Sequence, residues 1–220
     1  MIDILTQKPN LVIVDDHLIF RQCLQSLLSN SSIANVIGEA SNGNDFMQLL
    51  THLKPDMVLM DINMPFMNGI DATKKALELM PDLKIIVFSM FGNEEYYRKM
   101  IDFGVKGFIL KSSGINELES AIETVMMGDT YFSNELLRKI INNYGHKIAS
   151  KSLENHDLTD REIEILQNIF LSLTTEEIAL KLCISPKTVK SHRSNLLEKT
   201  YCKNTPQLIL YALKHKIIVL

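Results

Sequence analysis

The 220-residue sequence predicts an α/β domain with a doubly wound five-stranded parallel sheet, followed by a small all-α domain of four helices. Three observations carry this reading. Five short apolar runs alternate with stretches of helical period over residues 1–130. The chain turns polar over 131–157. Beyond that, four helix-start signals follow in close succession.

The apolar runs are Leu11–Val14, Val36–Gly38, Met57–Met60, Ile85–Phe88 and Phe108–Leu110. Each is apolar almost throughout, as strands buried on both faces should be. Between them, helices are predicted over Leu18–Ser29, Asn44–His52, Ile70–Leu79, Glu94–Phe103 and Glu117–Met127. Leu24, Leu27 and Leu28, and again Leu118, Ala121, Ile122 and Val125, fall at the spacing of one helical face. Leu136, Leu137, Ile140 and Ile141 suggest one more helix before a polar linker from about Asn142 to Asp157. The expected organisation is therefore a domain over 1–130, a helix and linker over 131–157, and a second domain over 158–220.

In that second domain Thr159-x-x-Glu162 and Thr174-x-x-Glu177 are capping-box patterns. Ser185-Pro186 and Thr205-Pro206 each place a capping side chain before a proline suited to the first helical position. The predicted helices are Asp160–Leu171, Thr175–Leu182, Pro186–Thr200 and Pro206–Lys214. Only Cys183-Ile184-Ser185 separates the second from the third, which is a helix-turn-helix spacing.

The composition, 46% apolar and 22% charged, is that of a folded globular chain and excludes a disordered, collagen-like or disulfide-stapled one. Cys23, Cys183 and Cys202 form no C-x-x-C pair, so free thiols in a reducing compartment are expected. No run of 18 apolar residues and no secretory leader pattern is present, so a cytoplasmic protein without a membrane partner is expected. The net charge of −3 hides an asymmetry: residues 158–220 carry nine Lys/Arg against six Asp/Glu, and residues 1–157 carry 14 against 20. A basic terminal domain hints at nucleic acid.

Ligands of a doubly wound sheet bind beyond the carboxyl ends of its strands. Those ends carry Asp15-Asp16, Asp61, Ser89 and Lys111. Three carboxylates a few Å apart repel strongly, by roughly 4 kcal/mol per pair at 4 Å and an effective dielectric of 20, so a cation is needed. All-oxygen ligation with water and phosphate suits Mg²⁺. A carboxylate also serves as a nucleophile toward phosphorus, with an ammonium and a metal neutralising the phosphoryl oxygens. Asp61 is thus the candidate nucleophile, Asp15 and Asp16 the metal ligands, Lys111 the phosphate partner and Ser89 a hydrogen-bond donor to it. An aspartate-nucleophile phosphatase would need a carboxylic acid two residues after Asp61, where Asn63 stands, and a substrate cap that no insertion supplies.

Residues 181–203 hold six basic groups and one acid, Glu198. Such a cluster neutralises phosphates. Val189, His192, Leu196 and Thr200 form one stripe of the third helix, while Lys187, Lys190, Ser191 and Ser194 face away from it and offer donors and acceptors to base edges.

Val-Asp15-Asp16-His, Leu-Met-Asp61-Ile-Asn-Met-Pro, Val-Phe-Ser89-Met and Gly-Phe-Ile-Leu-Lys111 resemble the receiver domain of two-component response regulators. Leu-Thr-Asp-Arg-Glu162, Ile-Ser-Pro-Lys-Thr188-Val189-Lys190-Ser-His192 and Asn195-Leu-Leu-Glu-Lys199 resemble the LuxR-type helix-turn-helix domain. Together they resemble a NarL/FixJ-type response regulator over about nine tenths of the chain. The resemblance implies strand order 2-1-3-4-5 and phosphorylation of Asp61 by a histidine kinase. It also implies a metal ligand in the backbone carbonyl of Asn63, a moving Ser89, and an aromatic switch at Phe108. Asn63 and Phe91 fall where hydrolysis of the phosphoaspartate is modulated. By family position Lys190, Ser191 and Ser194 meet bases of double-stranded DNA, and Lys187, Thr188 and Lys199 meet its backbone. Ser172, Thr200-Tyr201 and Thr205 depart from the usual Gly, Leu-Gly and Arg. A regulator with a vestigial receiver would be marked by loss of Asp15, Asp16, Asp61 or Lys111, all of which are present. The apolar last helix, with Leu208 and Tyr211, is expected to pair two copies into an active homodimer.

Overall fold

The computed structural model describes residues 8–31, 33–90, 94–133, 136–137 and 158–218. The chain divides into two compact units, with the boundary in sequence between Tyr131 and Phe132. Of the expected helix and linker over 131–157, only Tyr131–Ser133, Leu136 and Leu137 lie within the described residues, and Phe91 lies outside them.

In the first unit the order is β1 (Asn10–Val14), α1 (Leu18–Ser31), β2 (Asn35–Ala40), α2 (Gly43–Leu49), β3 (Met57–Met60) and α3 (Gly69–Leu79). Then follow β4 (Lys84–Ser89), α4 (Glu94–Phe103), β5 (Gly107–Leu110), α5 (Ile115–Met126) and β6 (Tyr131–Phe132). The sheet runs β2-β1-β3-β4-β5-β6, with the first five strands parallel. Leu11, Ile13, Met57, Leu59, Ile86, Phe88 and Ile109 pack on one face with Leu24 and Leu28 of α1 and Leu118, Ala121, Ile122 and Val125 of α5. The alternate residues Val12, Val14, Val58, Met60, Ile85 and Val87 are equally buried, as are Phe46, Ala72, Ala76 and Met100 from α2, α3 and α4. Both faces are therefore dry, which explains the continuous apolar runs.

Three expectations are corrected. The sheet has six strands; β6 has two residues, too few to show a period, and joins through Tyr131 N–H donating to Lys106 O at 2.9 Å. Strand β2 is not buried on both faces: it pairs only with β1, at the sheet edge, and its residues are mostly half-exposed. Leu27 is 46% exposed, because the face α1 turns inward carries Arg21, Leu24 and Leu28.

The second unit contains α6 (Asp160–Phe170), α7 (Thr175–Lys181), α8 (Pro186–Lys199) and α9 (Thr205–Lys214). Ile165, Leu166, Ile169, Ile178, Val189, Leu196, Leu208 and Ile209 are buried. Both capping boxes form, and Ser185 caps α8 with Pro186 in its first turn. The cap of α9 is Asn204 and not Thr205: Asn204 Oδ1 accepts from Gln207 N–H at 3.0 Å, and Thr205 opens the helix itself.

Candidate functional site

Sheet register brings the rim residues together. Val14 pairs with Met60, Met60 with Val87, and Val87 with Phe108, forming one row across four strands. Asp15 and Asp61 stand one step past that row. Ladder bonds continue beyond it: Asp15 N–H donates to Ala40 O at 3.0 Å, Asp61 N–H to Val14 O at 2.8 Å, and Lys111 N–H to Ser89 O at 2.9 Å. Backbone hydrogen bonds therefore fix the stems of these side chains. Gly69 closes the loop after β3: a Cβ there would stand 1.9 Å from Asp61 O, so only glycine fits.

Asp15 is 1% exposed and Asp61 4%. Lys111 Nζ lies 2.6 Å from Asp15 Oδ2 and 2.8 Å from Asp61 Oδ2. Burial lowers the Lys111 pKa, but the hydrogen bonds and charges of Asp15 and Asp61 outweigh it, and the ammonium is held above its ordinary value. Asp61 Oδ1 accepts from Ile62 N–H at 2.8 Å, and Asp15 Oδ1 from His17 N–H at 2.9 Å. Asp16 is exposed, with its Oδ1 2.8 Å from His17 Nδ1. Ligand atoms of Asp15, Asp16, His17 and Asp61 lie within 4.8 Å of one another, a group able to hold a metal ion. One lysine stands against three carboxylates, so the rim carries an unbalanced negative charge that a cation would satisfy. Ser89 is fully buried, and its hydroxyl has no hydrogen-bond partner. Its hydroxyl is left able to donate to an incoming oxygen.

Phe108 is 2% exposed and meets Tyr97 edge-on, with centroids 4.7 Å apart and planes at 86°. Its ring is already inward. Asn63 is exposed in the loop after Asp61. Arg21, to which the sequence reading gave no role, is buried; it donates to Asp15 O and to Glu39 Oε2 at 3.2 Å, so it braces the loop after β1. Its signal was a lone arginine on an apolar helix face.

On α8, Lys187, Ser191 and Ser194 are exposed, and Thr188 and Lys190 half-exposed. Val189, Leu196 and Thr200 are buried, as the stripe requires. Ser191 Oγ donates back to Lys187 O at 3.2 Å, and Thr188 Oγ1 lies 2.8 Å from Ser185 Oγ. Lys199 Nζ is 2.8 Å from Oε2 of the buried Glu162, so any phosphate at Lys199 would have to compete with that carboxylate. Arg193 ties the unit together, donating to Thr175 Oγ1 at 3.0 Å and Thr205 Oγ1 at 2.9 Å. Leu208 corrects an expectation: it is 1% exposed, in a helix packed on α6 and α8, and presents nothing to a second copy. Tyr211 is half-exposed, its ring 4.3 Å from that of His215. Among the described residues no helix is long and apolar enough to cross a membrane.

Residues 11–123 match the model of the response regulator receiver domain, and residues 156–212 that of the bacterial regulatory proteins of the luxR family. The chain is a two-component response regulator. It joins a receiver to a LuxR-type helix-turn-helix, the plan of a regulator of transcription. It is 36% identical to the oxygen regulatory protein NreC of Staphylococcus carnosus over 213 residues, covering 94% of this chain and 98% of that one. Among solved structures it resembles the RcsB response regulator of Salmonella typhimurium, at 25% identity and a TM-score of 0.58, over 94% of this chain and 98% of RcsB. A LuxR-family response regulator from Aurantimonas sp. matches at 28% identity and a TM-score of 0.59, covering 62% of this regulator and 98% of that chain.

Proposed function

We propose that Asp61 accepts a phosphoryl group from a histidine kinase and that this modification controls binding of the helix-turn-helix to double-stranded DNA. The observation that carries the reading is the buried Asp61 carboxylate held 2.8 Å from Lys111 beside the orphaned hydroxyl of Ser89. An Asp61 oxygen attacks phosphorus; the new O–P bond forms as the bond to the donor breaks, and the leaving group keeps the electron pair. Lys111 meets the charge on the phosphoryl oxygens, and Ser89 donates its hydroxyl to one of them. Asp15, Asp16, Asp61 and the Asn63 carbonyl would hold Mg²⁺, which would supply further neutralisation of those oxygens. The protein promotes only its own phosphoryl uptake and loss. Phe108 follows the state of Ser89 by packing, since it has no hydroxyl.

Lys190, Ser191 and Ser194 read bases, and Lys187, Thr188 and Lys199 meet phosphates. The RcsB relative described as bound to promoter rprA with a phosphomimetic, 25% identical to this chain, supports the coupling of the two events. The working limits are a receiver over 1–130, a helix and linker over 131–157 and a DNA-binding domain over 158–220, in a cytoplasmic protein that acts as a homodimer. Incubation with a small acyl phosphate and Mg²⁺, read by intact mass, tests the reading. The wild type gains one phosphoryl group and binds a specific duplex more tightly; Asp61→Asn does neither. An equal mass gain in Asp61→Asn overturns it.

A further inference from the structure

We propose that Phe20 is a positioning residue for Lys111, steadying its ammonium between Asp15 and Asp61 with the face of its ring. The inference rests on the phosphoryl-transfer reading of Asp61. Lys111 Nζ lies 4.9 Å from the centroid of the Phe20 ring, within the range of a cation–π contact. The lysine side chain is only 7% exposed, so little water stands between the two. The ring is itself held: its centroid is 5.5 Å from that of Phe88, tilted by 34°. Phe88 is 5% exposed and immediately precedes Ser89. Phe20 thus stands in the first turn of α1 with one neighbour at the phosphate-binding lysine and another beside the phosphate-binding serine.

The chemistry gives this contact a use that the carboxylates cannot fill. Before transfer, Lys111 is held by two anions at 2.6 and 2.8 Å. When Asp61 becomes an acyl phosphate, its bonded oxygen loses most of its charge, and the ammonium must pivot toward the phosphoryl oxygens. A carboxylate binds along fixed lone-pair directions and would resist the pivot. A ring face attracts the cation over a broad area and forms no bond that must break. The ring therefore keeps the ammonium oriented through the step while excluding water from one side of it.

Two variants of the full chain separate this from simple packing. Phe20→Leu keeps an apolar side chain and removes the π face; Phe20→Tyr keeps the face. In proton NMR of the wild type, the ε-methylene and ammonium signals of Lys111 should be shifted upfield by the ring. The shift should persist in Phe20→Tyr and vanish in Phe20→Leu. Phosphoryl uptake from acetyl phosphate should fall about three- to tenfold in maximum rate in Phe20→Leu, at an unchanged half-saturating donor concentration, and recover in Phe20→Tyr. No upfield shift in the wild type, an unaltered rate in Phe20→Leu, or equal losses in both variants would overturn the assignment. If the wild type takes up no phosphoryl group, the reading of Asp61 falls instead, and the ring shift alone upholds or overturns the role of Phe20.

Discussion

The Glu162 carboxylate is 3% exposed, yet it accepts from Thr159 N–H and Oγ and from Lys199 Nζ, all within 3.0 Å. Burial alone would raise its pKa, but the hydrogen bonds from Lys199 and Thr159 outweigh that and hold it below the ordinary glutamate value. A depressed native pKa contributes stability that is present above the unfolded value and lost as pH falls through the native one. The DNA-binding unit is therefore expected to weaken in acid, and Glu162→Gln to flatten that dependence in urea unfolding curves taken across the acidic range. Lys199→Met leaves the carboxylate without its cation. It should cost about 1–2 kcal/mol, less than a fully buried pair because the lysine is 38% exposed. At the receiver rim, Asp16 is a third exposed and braces only His17, so Asp16→Ala should weaken Mg²⁺ binding while the melting temperature stays within a few degrees. Calorimetric titration checks it, and an unchanged affinity would remove Asp16 from the ligand set. Asp15, Asp61, Ser89 and Lys111 were legible in the sequence because strand ends are. The pairs Glu162–Lys199 and Phe20–Lys111 were not, because they join residues far apart in sequence and leave no local pattern.

All four helices of the DNA-binding unit end in the same backbone motif. Ser172, Cys183, Tyr201 and Lys216 each follow a helix with φ between 52° and 60°. Each donates its N–H three residues back, and the next residue donates five back, as in Cys202 N–H to Leu197 O at 2.9 Å. The left-handed residue of this motif is usually glycine, and the receiver uses Gly104 and Gly128 there. Residues 158–220 contain no glycine at all. A side chain in this conformation costs about 1–2 kcal/mol, partly offset by the entropy glycine would lose on folding. Tyr201 is 94% exposed and gains nothing from packing, so Tyr201→Gly should stabilise the unit by about 0.5–1 kcal/mol in denaturant melts. A loss of stability would mean that its ring is engaged. The start of α5 was missed by two residues, at Ile115 and not Glu117, because Gly114 ahead of it offers no capping side chain. In the DNA-binding unit helix starts were legible to within a residue because capping is local chemistry. The exception, Asn204 for Thr205, arose because Thr205-Pro206 carries the stronger sequence signal while the Thr205 hydroxyl accepts from Arg193 across the fold. Edge position, which exposes β2, is a property of the whole sheet and has no signature in one strand.

At the scale of the molecule, an acidic receiver and a basic reader of DNA share one chain. One α8 spans a single short half-site, and a second copy on the same duplex gains affinity because its contact becomes effectively intramolecular. If two copies pair through α9, as expected from the sequence, the contact must use the face that α9 leaves open. Leu208, Ile209, Ala212 and Leu213 are buried. Gln207, Leu210 and Tyr211 are half-exposed and Lys214 exposed, a stripe at the spacing of a single helical face. Apolar identity suggested Leu208 as a contact, whereas burial leaves Leu210 and Tyr211 as the apolar residues of α9 open to one. The two substitutions should then behave differently. Leu208→Glu puts a charge into the core and should unfold the unit, so its loss of DNA binding would be uninformative. Tyr211→Glu should leave helical content and melting temperature nearly unchanged, yet place like charges across a two-fold contact. Sedimentation with a duplex of two half-sites should show two wild-type protomers loading together. With Tyr211→Glu they should load one after the other, at higher protein concentration. Cooperative loading that survives Tyr211→Glu would show that the pairing surface lies elsewhere than on α9.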